Sequence, residues 1–396
     1  MMQKLEIKKM VPFSVAIVLI AMNLRMAIIS VPPLTTKLLG AGISSTTIGL
    51  LTTIPLLCFG GFSALIGVLV PRIGASRLVA ISLAVLAVAN WVRVLNQPLL
   101  LIGTAFVGLS ITALNVLLPV IILENRPQET GRLNGFYTST FNVCAAIASM
   151  LVVPAATLWD WQVTMQWLSV PAVLGLVSWW LTPKQSGTSH SVHQSKATFD
   201  WQLLKQPAVW LLALFFGGQS LVFYTVSAWL PSILTAHQLT PTTAGISQGL
   251  FQLIGVPAAY LLPQLRQDRR SLMRVMAMLL MGYVLGIGGL LVGGQSVIIL
   301  ELATVILGIT TTAIFSLALS LVTLVAQTAV NAGIIGGVVQ SIGYLLASIG
   351  PSLLGQLKTQ TQSWNIVLLV LMLISAIVIF IGFTLTHRLP AQNAAN

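Results

Sequence analysis

The chain has 396 residues, of which 56% are hydrophobic and 7% are charged, and its formal net charge is +12. Soluble domains usually carry about 25% charged residues, so this composition excludes an ordinary soluble protein. Hydrophobic runs of the length that a helix needs to cross a bilayer recur along the chain. We therefore expect an all-α integral membrane protein of about twelve transmembrane helices with short loops.

The hydrophobic runs predict six helices in each half of the chain. In the N-terminal half, residues 1–183, the helices are expected at 11–39, 46–70, 77–95, 98–124, 131–157 and 163–182. In the C-terminal half, residues 207–396, they are expected at 207–236, 241–264, 271–293, 296–321, 329–355 and 364–387. The polar segment 184–206 is predicted to be a cytoplasmic linker, and its His190 and His193 are interpreted as solvated rather than metal-binding.

The basic residues indicate orientation rather than nucleic-acid binding. Most Lys and Arg residues fall in loops on one side of the predicted membrane, and only Lys37, Arg93 and Lys358 fall on the other. Loops rich in Lys and Arg stay in the cytoplasm. We therefore expect a multi-pass protein of the cell membrane with both termini cytoplasmic and no nucleic-acid partner.

The sequence contains no pattern typical of a cofactor, a metal site or catalysis. Cys58 and Cys144 are the two cysteines, and both lie inside hydrophobic runs without a CxxC or Cys/His motif. No phosphate-binding glycine loop, Walker lysine motif or catalytic triad pattern occurs either. We therefore expect neither cofactor nor metal, and neither an enzyme nor an ATP-driven pump.

The two halves share features that suggest an internal repeat. Each half has a basic loop after its second predicted helix, VPRIGASR at 70–77 and LRQDRR at 265–270. This six-plus-six layout resembles the major facilitator superfamily, whose fold consists of two pseudo-symmetric six-helix halves. Gly67, Arg72, Gly74 and Arg77 match its loop signature. Pro71 stands where that signature has Asp, which is a departure from the pattern that underlies the usual charge-relay gating at this loop.

Further strings resemble the family of cyanate permeases and 2-nitroimidazole transporters. They are NLR at 23–25, NVLLP at 115–119 followed by RP at 126–127, GFY at 135–137, QSLVFYTVSAWLP at 219–231 and QSIGYLLASIGP at 340–351. The resemblance covers both halves in the same order. It implies a secondary transporter, working by alternating access, for small and compact solutes that are often anionic or electron-poor. We expect it to act as a monomer.

Polar residues at membrane depth are the candidate site, because they are costly there and usually functional. Arg25 leads, since it is predicted near the midplane and its planar fork suits a carboxylate-like anion. A structural arginine, held by helix carbonyls or by Glu301, is the alternative. The other candidate substrate ligands are polar residues on five helices, for which interhelical hydrogen bonding is the alternative role: Asn23, Asn115, Tyr137, Asn142, Gln219, Tyr224, Gln340 and Tyr344.

The spacing of these candidates along each helix indicates which of them share a face. Gln340 and Tyr344 are four residues apart amid glycines and share one helix face, whereas Gln219 and Tyr224, five apart, point in directions about 140° apart. Glu301 is the one acid predicted well inside a span, so it is a candidate for coupling to protons. Glu124, Arg132 and Arg72 are candidate gating residues. A proton-coupled multidrug effluxer that uses Glu301 is the alternative function.

Overall fold

The structure, a computed structural model, describes residues 12–126, 129–182, 205–262, 268–326 and 329–388. Helices make up the fold, and no strand occurs in these ranges. The chain divides into two compact units, residues 1–196 and 197–396. Most of the predicted linker, 183–204, lies outside the described residues, as do both chain ends.

The N-terminal unit contains eight α-helices and two short 3₁₀ turns within the described ranges. The α-helices are α1 (Phe13–Ala21), α2 (Met26–Ile29), α3 (Thr35–Gly40), α4 (Ser45–Ile73), α5 (Ala75–Val92), α6 (Gln97–Asn125), α7 (Thr130–Trp167) and α8 (Ser169–Leu181). The 3₁₀ turns are Met22–Leu24 and Pro32–Leu34, so α1 to α3 together form one interrupted first span.

The break in the first span lies at Arg25, whose backbone angles of φ −133° and ψ −25° are not helical. Neither proline nor glycine occurs at residues 22–25, but a side-chain hydrogen bond lies just before the break. The Nδ2 of Asn23 donates to the carbonyl of Leu19 at 2.9 Å, and an Asn side chain that bonds nearby backbone competes with helix hydrogen bonds. The first span is therefore not the continuous helix predicted at 11–39.

The C-terminal unit contains seven α-helices within the described ranges. They are α9 (Pro207–Ala236), α10 (Pro241–Ile254), α11 (Val256–Leu261), α12 (Arg269–Val292), α13 (Val297–Ala326), α14 (Ala329–Thr361) and α15 (Trp364–Arg388). The eighth span, predicted as one helix at 241–264, is divided at Gly255. A Cβ on Gly255 would overlap Thr312 and lie 2.7 Å from the carbonyl oxygen of Gly308, so α10 and α13 approach closely there.

Ten helices of the described chain are long and apolar enough to cross a membrane. Two structural details account for the difference from about twelve predicted spans. The fifth and sixth spans are continuous as Ser139–Leu181, although Asp160 has a left-handed φ of 65° that turns the chain between them. The eighth span is divided into α10 and α11, each shorter than a membrane crossing.

The second span of each unit begins with the same polar cap. The hydroxyl of Ser44 accepts from the backbone N–H of Thr47 at 3.1 Å, and that of Thr240 accepts from Thr243 at 3.2 Å. Such caps satisfy amide groups that a helix start leaves without partners. The shared cap is a further trace of the internal repeat.

Each unit packs around its own core. In the N-terminal unit the core includes Leu24, Val79, Leu114 and Trp179, all buried, and the indole of Trp179 donates to the carbonyl of Ser76 at 3.0 Å. In the C-terminal unit glycines bring α9 and α14 together. A Cβ on Gly217 would lie only 3.1 Å from the Cα of Gly343, so the two backbones are nearly in contact.

Candidate functional site

Arg25 contacts an aromatic ring of the fifth span. Its guanidinium carbon lies 4.9 Å from the centre of the Phe141 ring, within the range of a cation–π interaction. The ring of Tyr137 lies 6.2 Å from that of Phe141, one helical turn earlier on α7. The N-terminal unit thus brings two predicted site residues, Arg25 and Tyr137, around one phenylalanine. Phe141 is not among the predicted ligands, although its spacing from Tyr137 was a usable signal.

Asn23 lies beside Arg25 in sequence but makes structural contacts. Its side chain is buried, and Nδ2 donates to the carbonyls of both Leu19, at 2.9 Å, and Pro171, at 3.0 Å. Both amide hydrogens therefore join the first span to itself and to the sixth. Only the Oδ1 atom of Asn23 remains for any contact with a substrate.

The other predicted ligands of the N-terminal unit differ in exposure. Asn142, next to Phe141 on α7, is half-buried, as are Tyr137 and Arg25. Asn115 on α6 is exposed. The structure thus groups Arg25, Tyr137 and Phe141 by direct ring contacts, whereas no contact described here joins Asn115 to them.

In the C-terminal unit, ring contacts connect residues of four helices. Tyr344 of α14 lies 5.7 Å from Phe216 and 6.3 Å from Tyr224, both of α9, and both pairs are edge-on. Phe216 also contacts Phe315 of α13, and Tyr224 contacts Phe223. Phe223 stacks on Phe251 of α10 at 5.8 Å. We call these six residues the aromatic cluster: Phe216, Phe223, Tyr224, Phe251, Phe315 and Tyr344.

The aromatic cluster contains two predicted ligands, Tyr224 and Tyr344, and both are half-buried. Gln340, one turn before Tyr344, is also half-buried. Gln219 is fully buried, and its Nε2 donates to the hydroxyl of its neighbour Ser220 at 2.7 Å. Gln219 is thus enclosed in this conformation, in keeping with its different direction from Tyr224.

Glu301 makes a specific hydrogen bond. Its carboxylate is paired with the hydroxyl of Ser247, a buried residue of α10, and Glu301 itself is half-buried near the start of α13. The same hydroxyl lies 2.9 Å from the carbonyl of Thr243. Because a serine hydroxyl has one hydrogen, it can donate to only one of these two acceptors at a time.

The predicted gating residues lie at helix ends on the surface. Arg72 is in the last turn of α4, Glu124 is near the end of α6, and both are exposed. Arg132 lies within α7, and its side chain is outside what the structure describes. No gate between these three residues is visible in the described contacts, so their role stays a prediction.

Arg93 differs from the sequence-based expectation, which placed it among the charges of the outer loops. It is only 1% exposed, and its Nη1 donates to the carbonyl of Ala27 in the first span at 3.2 Å. Gly103 makes this possible, because a Cβ there would overlap the Cβ of Arg93. The Nε and Nη2 atoms have no hydrogen-bond partner in the described residues.

Sequence reasoning also missed a group of buried amides. Gln248 and Gln252 of α10 both donate from Nε2 to the hydroxyl of Ser227 on α9, each at 3.1 Å. The four-residue spacing of the glutamines was the available signal. In the described ranges no group of three or more His, Cys, Asp or Glu residues is placed to hold a metal ion.

Comparison with known proteins defines the class. The solved nucleoside transporter NupG has the same fold, with a TM-score of 0.76 at 13% identity over 95% of this chain and 99% of that one. The chain is 35% identical to an uncharacterized transporter, YycB, of Bacillus subtilis (strain 168), covering 90% of each protein. It is therefore a multi-pass membrane protein of a transporter class, not an enzyme.

The model of the Major Facilitator Superfamily matches residues 13–351, and the chain belongs to that family. Within it, the chain is 31% identical to the 2-nitroimidazole transporter of Escherichia coli (strain K12), covering 92% of this chain and 93% of that protein. It is 29% identical to the cyanate transport protein CynX of the same organism, covering 65% and 68%. The resemblance drawn from the sequence strings is confirmed.

Proposed function

We propose that the chain is a secondary transporter that moves a small anionic or nitro-aromatic solute across the cell membrane by alternating access. The observation that carries this proposal is the position of Arg25, which lies at a break in the first span with its guanidinium over Phe141. The names of two relatives, for 2-nitroimidazole and for cyanate, agree with a compact, electron-poor substrate.

A guanidinium within a span requires a functional explanation. Its insertion costs at least about 2.5 kcal/mol near the centre of a membrane, and such groups usually mark substrate or ion pathways. The ring of Phe141 contacts the guanidinium carbon, whereas the N–H groups lie around the edge of the guanidinium plane. These edge groups form the fork that binds carboxylate-like oxygens, so Arg25 suits an anion or the oxygens of a nitro group.

The aromatic cluster supports the aromatic part of the proposal. Tyr224 and Tyr344 are half-buried and belong to a continuous series of ring contacts. Offset and edge-on ring pairs add about 0.5–1.5 kcal/mol beyond simple burial, so this surface favours a flat aromatic solute over an aliphatic one of equal size. Gln340, one turn before Tyr344, would contribute a hydrogen bond to its polar edge.

Coupling and topology complete the proposal. Alternating access needs no nucleotide, in agreement with the absence of a Walker motif from the sequence. The proposal includes cytoplasmic termini, as the distribution of Lys and Arg indicates, and a monomeric transporter. Proton-coupled efflux remains the second candidate function, because the carboxyl group of Glu301 is paired with the hydroxyl of Ser247, a buried residue.

The experiment is uptake into proteoliposomes containing the purified protein, with radiolabelled 2-nitroimidazole and cyanate as separate probes. We expect saturable uptake of at least one probe by the wild type and none by Arg25→Ala. The variant Arg388→Ala, which removes an exposed arginine from the last turn of α15, is the control and should transport normally. Uptake of neither probe above that of protein-free vesicles would contradict the proposed function.

A further inference from the structure

Three buried polar side chains connect α9 and α10. Ser227, Gln248 and Gln252 are at most 5% exposed, and we call them the amide cluster. Nε2 of Gln248 donates to both the carbonyl and the hydroxyl of Ser227, at 3.0 and 3.1 Å. Nε2 of Gln252 donates to the same hydroxyl at 3.1 Å. The cluster is thus held by three hydrogen bonds that converge on one serine.

These bonds fix which groups of the cluster remain for a ligand. A carbonyl can only accept, so the bond to the Ser227 carbonyl assigns the nitrogen of the Gln248 amide and leaves Oε1 on the other side. This Oε1 atom is enclosed and has no hydrogen-bond partner in the described residues. The Ser227 hydroxyl accepts two bonds, which leaves its own hydrogen to be donated. The Oε1 atom of Gln248 is therefore the enclosed acceptor of the cluster that lacks a donor.

The amide cluster adjoins the aromatic cluster. On α9, Phe223 lies one turn before Ser227, and on α10, Phe251 lies between Gln248 and Gln252. Phe223 and Phe251 stack on each other at 5.8 Å, so the two helices contact through rings and amides side by side. The stacked rings thus lie beside an acceptor that lacks a donor.

We propose that the amide cluster is a substrate subsite in which Oε1 of Gln248 accepts a hydrogen bond from the ring N–H of a planar nitrogen heterocycle. A buried acceptor without a donor is unfavourable, and an N–H group of the solute supplies what the protein lacks. The solute's ring packs against the aromatic cluster at the same time. This inference rests on the proposed function and assigns specificity to Gln248, Gln252 and Ser227.

The test compares 2-nitroimidazole with 1-methyl-2-nitroimidazole, which lacks the ring N–H. Dissociation constants are measured by calorimetry on purified full-length protein. The wild type should bind the methylated compound about tenfold more weakly, because an unpaired buried acceptor costs about 1.4 kcal/mol, equivalent to that factor. In Gln248→Leu the two constants should become nearly equal. Leu retains most of the side-chain volume, so a merely steric rejection of the methyl group would persist.

The matched control is Gln356→Leu, which changes an exposed glutamine within α14 and should keep the tenfold preference. Gln248→Met is a second variant that keeps the experiment decisive if Gln248→Leu does not fold. A tenfold preference that persists in the folded Gln248 variants, or its absence from the wild type, overturns the subsite and leaves the transporter proposal intact. Failure of the wild type to bind or transport either nitroimidazole or cyanate overturns the proposed function, and the subsite with it.

Discussion

Arg25 and Phe141 form a cation–π pair across two spans of the N-terminal unit, with 4.9 Å between the guanidinium carbon and the ring centre. The ring stabilises the positive charge, which lowers the cost of placing an arginine within an apolar span. We expect the same guanidinium to bind the substrate.

Arg25→Ala should abolish transport without preventing membrane insertion, and Arg25→Lys should also largely fail. Lysine retains the charge but not the planar fork, and it binds two oxygens of one group less specifically. The measurement is initial uptake of 2-nitroimidazole and of cyanate, normalised to the amount of protein in the membrane. Full uptake by a well-expressed Arg25→Ala protein would contradict the prediction.

Gln340 and Tyr344 are predicted to line a water-accessible cavity. Cysteine introduced at either position should react with a small, water-soluble thiol reagent, and substrate should slow the reaction. Cys144 is half-buried and Cys58 is buried, so the test requires a Cys144→Ser background to remove the accessible native thiol. Unreactive cysteines at both positions, indifferent to substrate, would count against the prediction.

Glu301 is predicted not to be an obligatory proton carrier. Its carboxylate is already stabilised by the Ser247 hydroxyl, and Glu301 lies one turn into α13 rather than near its middle. Uptake is measured for wild type and Glu301→Gln with and without an imposed pH gradient, and the two should behave alike. If the gradient drives accumulation in wild type, and Glu301→Gln loses only that accumulation while downhill exchange persists, Glu301 carries the proton and the prediction is wrong.

Gly103→Ala should destabilise the protein by about 1–3 kcal/mol, the usual effect of overpacking a tight contact. The added Cβ would overlap the Cβ of Arg93 and lie 2.9 Å from its Cα, which is backbone and cannot move aside easily. Gly61→Ala is the matched control, since a Cβ at this helical glycine meets nothing within 4 Å. Thermal unfolding of the two purified variants compares them, and an equal midpoint for Gly103→Ala and wild type would contradict the expected clash.

The helical architecture follows from the sequence because hydrophobic length alone determines what can span a membrane. The break at Arg25 could not be predicted in the same way, since residues 22–25 contain neither proline nor glycine to indicate it. The direction in which each polar side chain points could not be predicted either. Gln219 and Tyr344 both looked like candidate ligands, yet packing encloses Gln219 and leaves Tyr344 half-buried.

Arg93 and the amide cluster are buried features that the sequence did not indicate. The sequence places Arg93 at the end of a span, where a charge usually faces water. Only the close approach permitted by Gly103 determines that it is buried instead. Gln248 and Gln252 become informative only once Ser227 of another helix is found between them. Such pairings depend on tertiary contacts that no local pattern contains.

The interrupted first span determines what sets the direction of the Arg25 side chain. In a continuous helix, that direction would be tied to the rotation of the whole span. Here α1 ends at Ala21 and α2 begins at Met26, and Asn23 anchors the connection between them to the carbonyls of Leu19 and Pro171. The direction of the guanidinium is therefore set by this anchored connection and not by the helical repeat of α1.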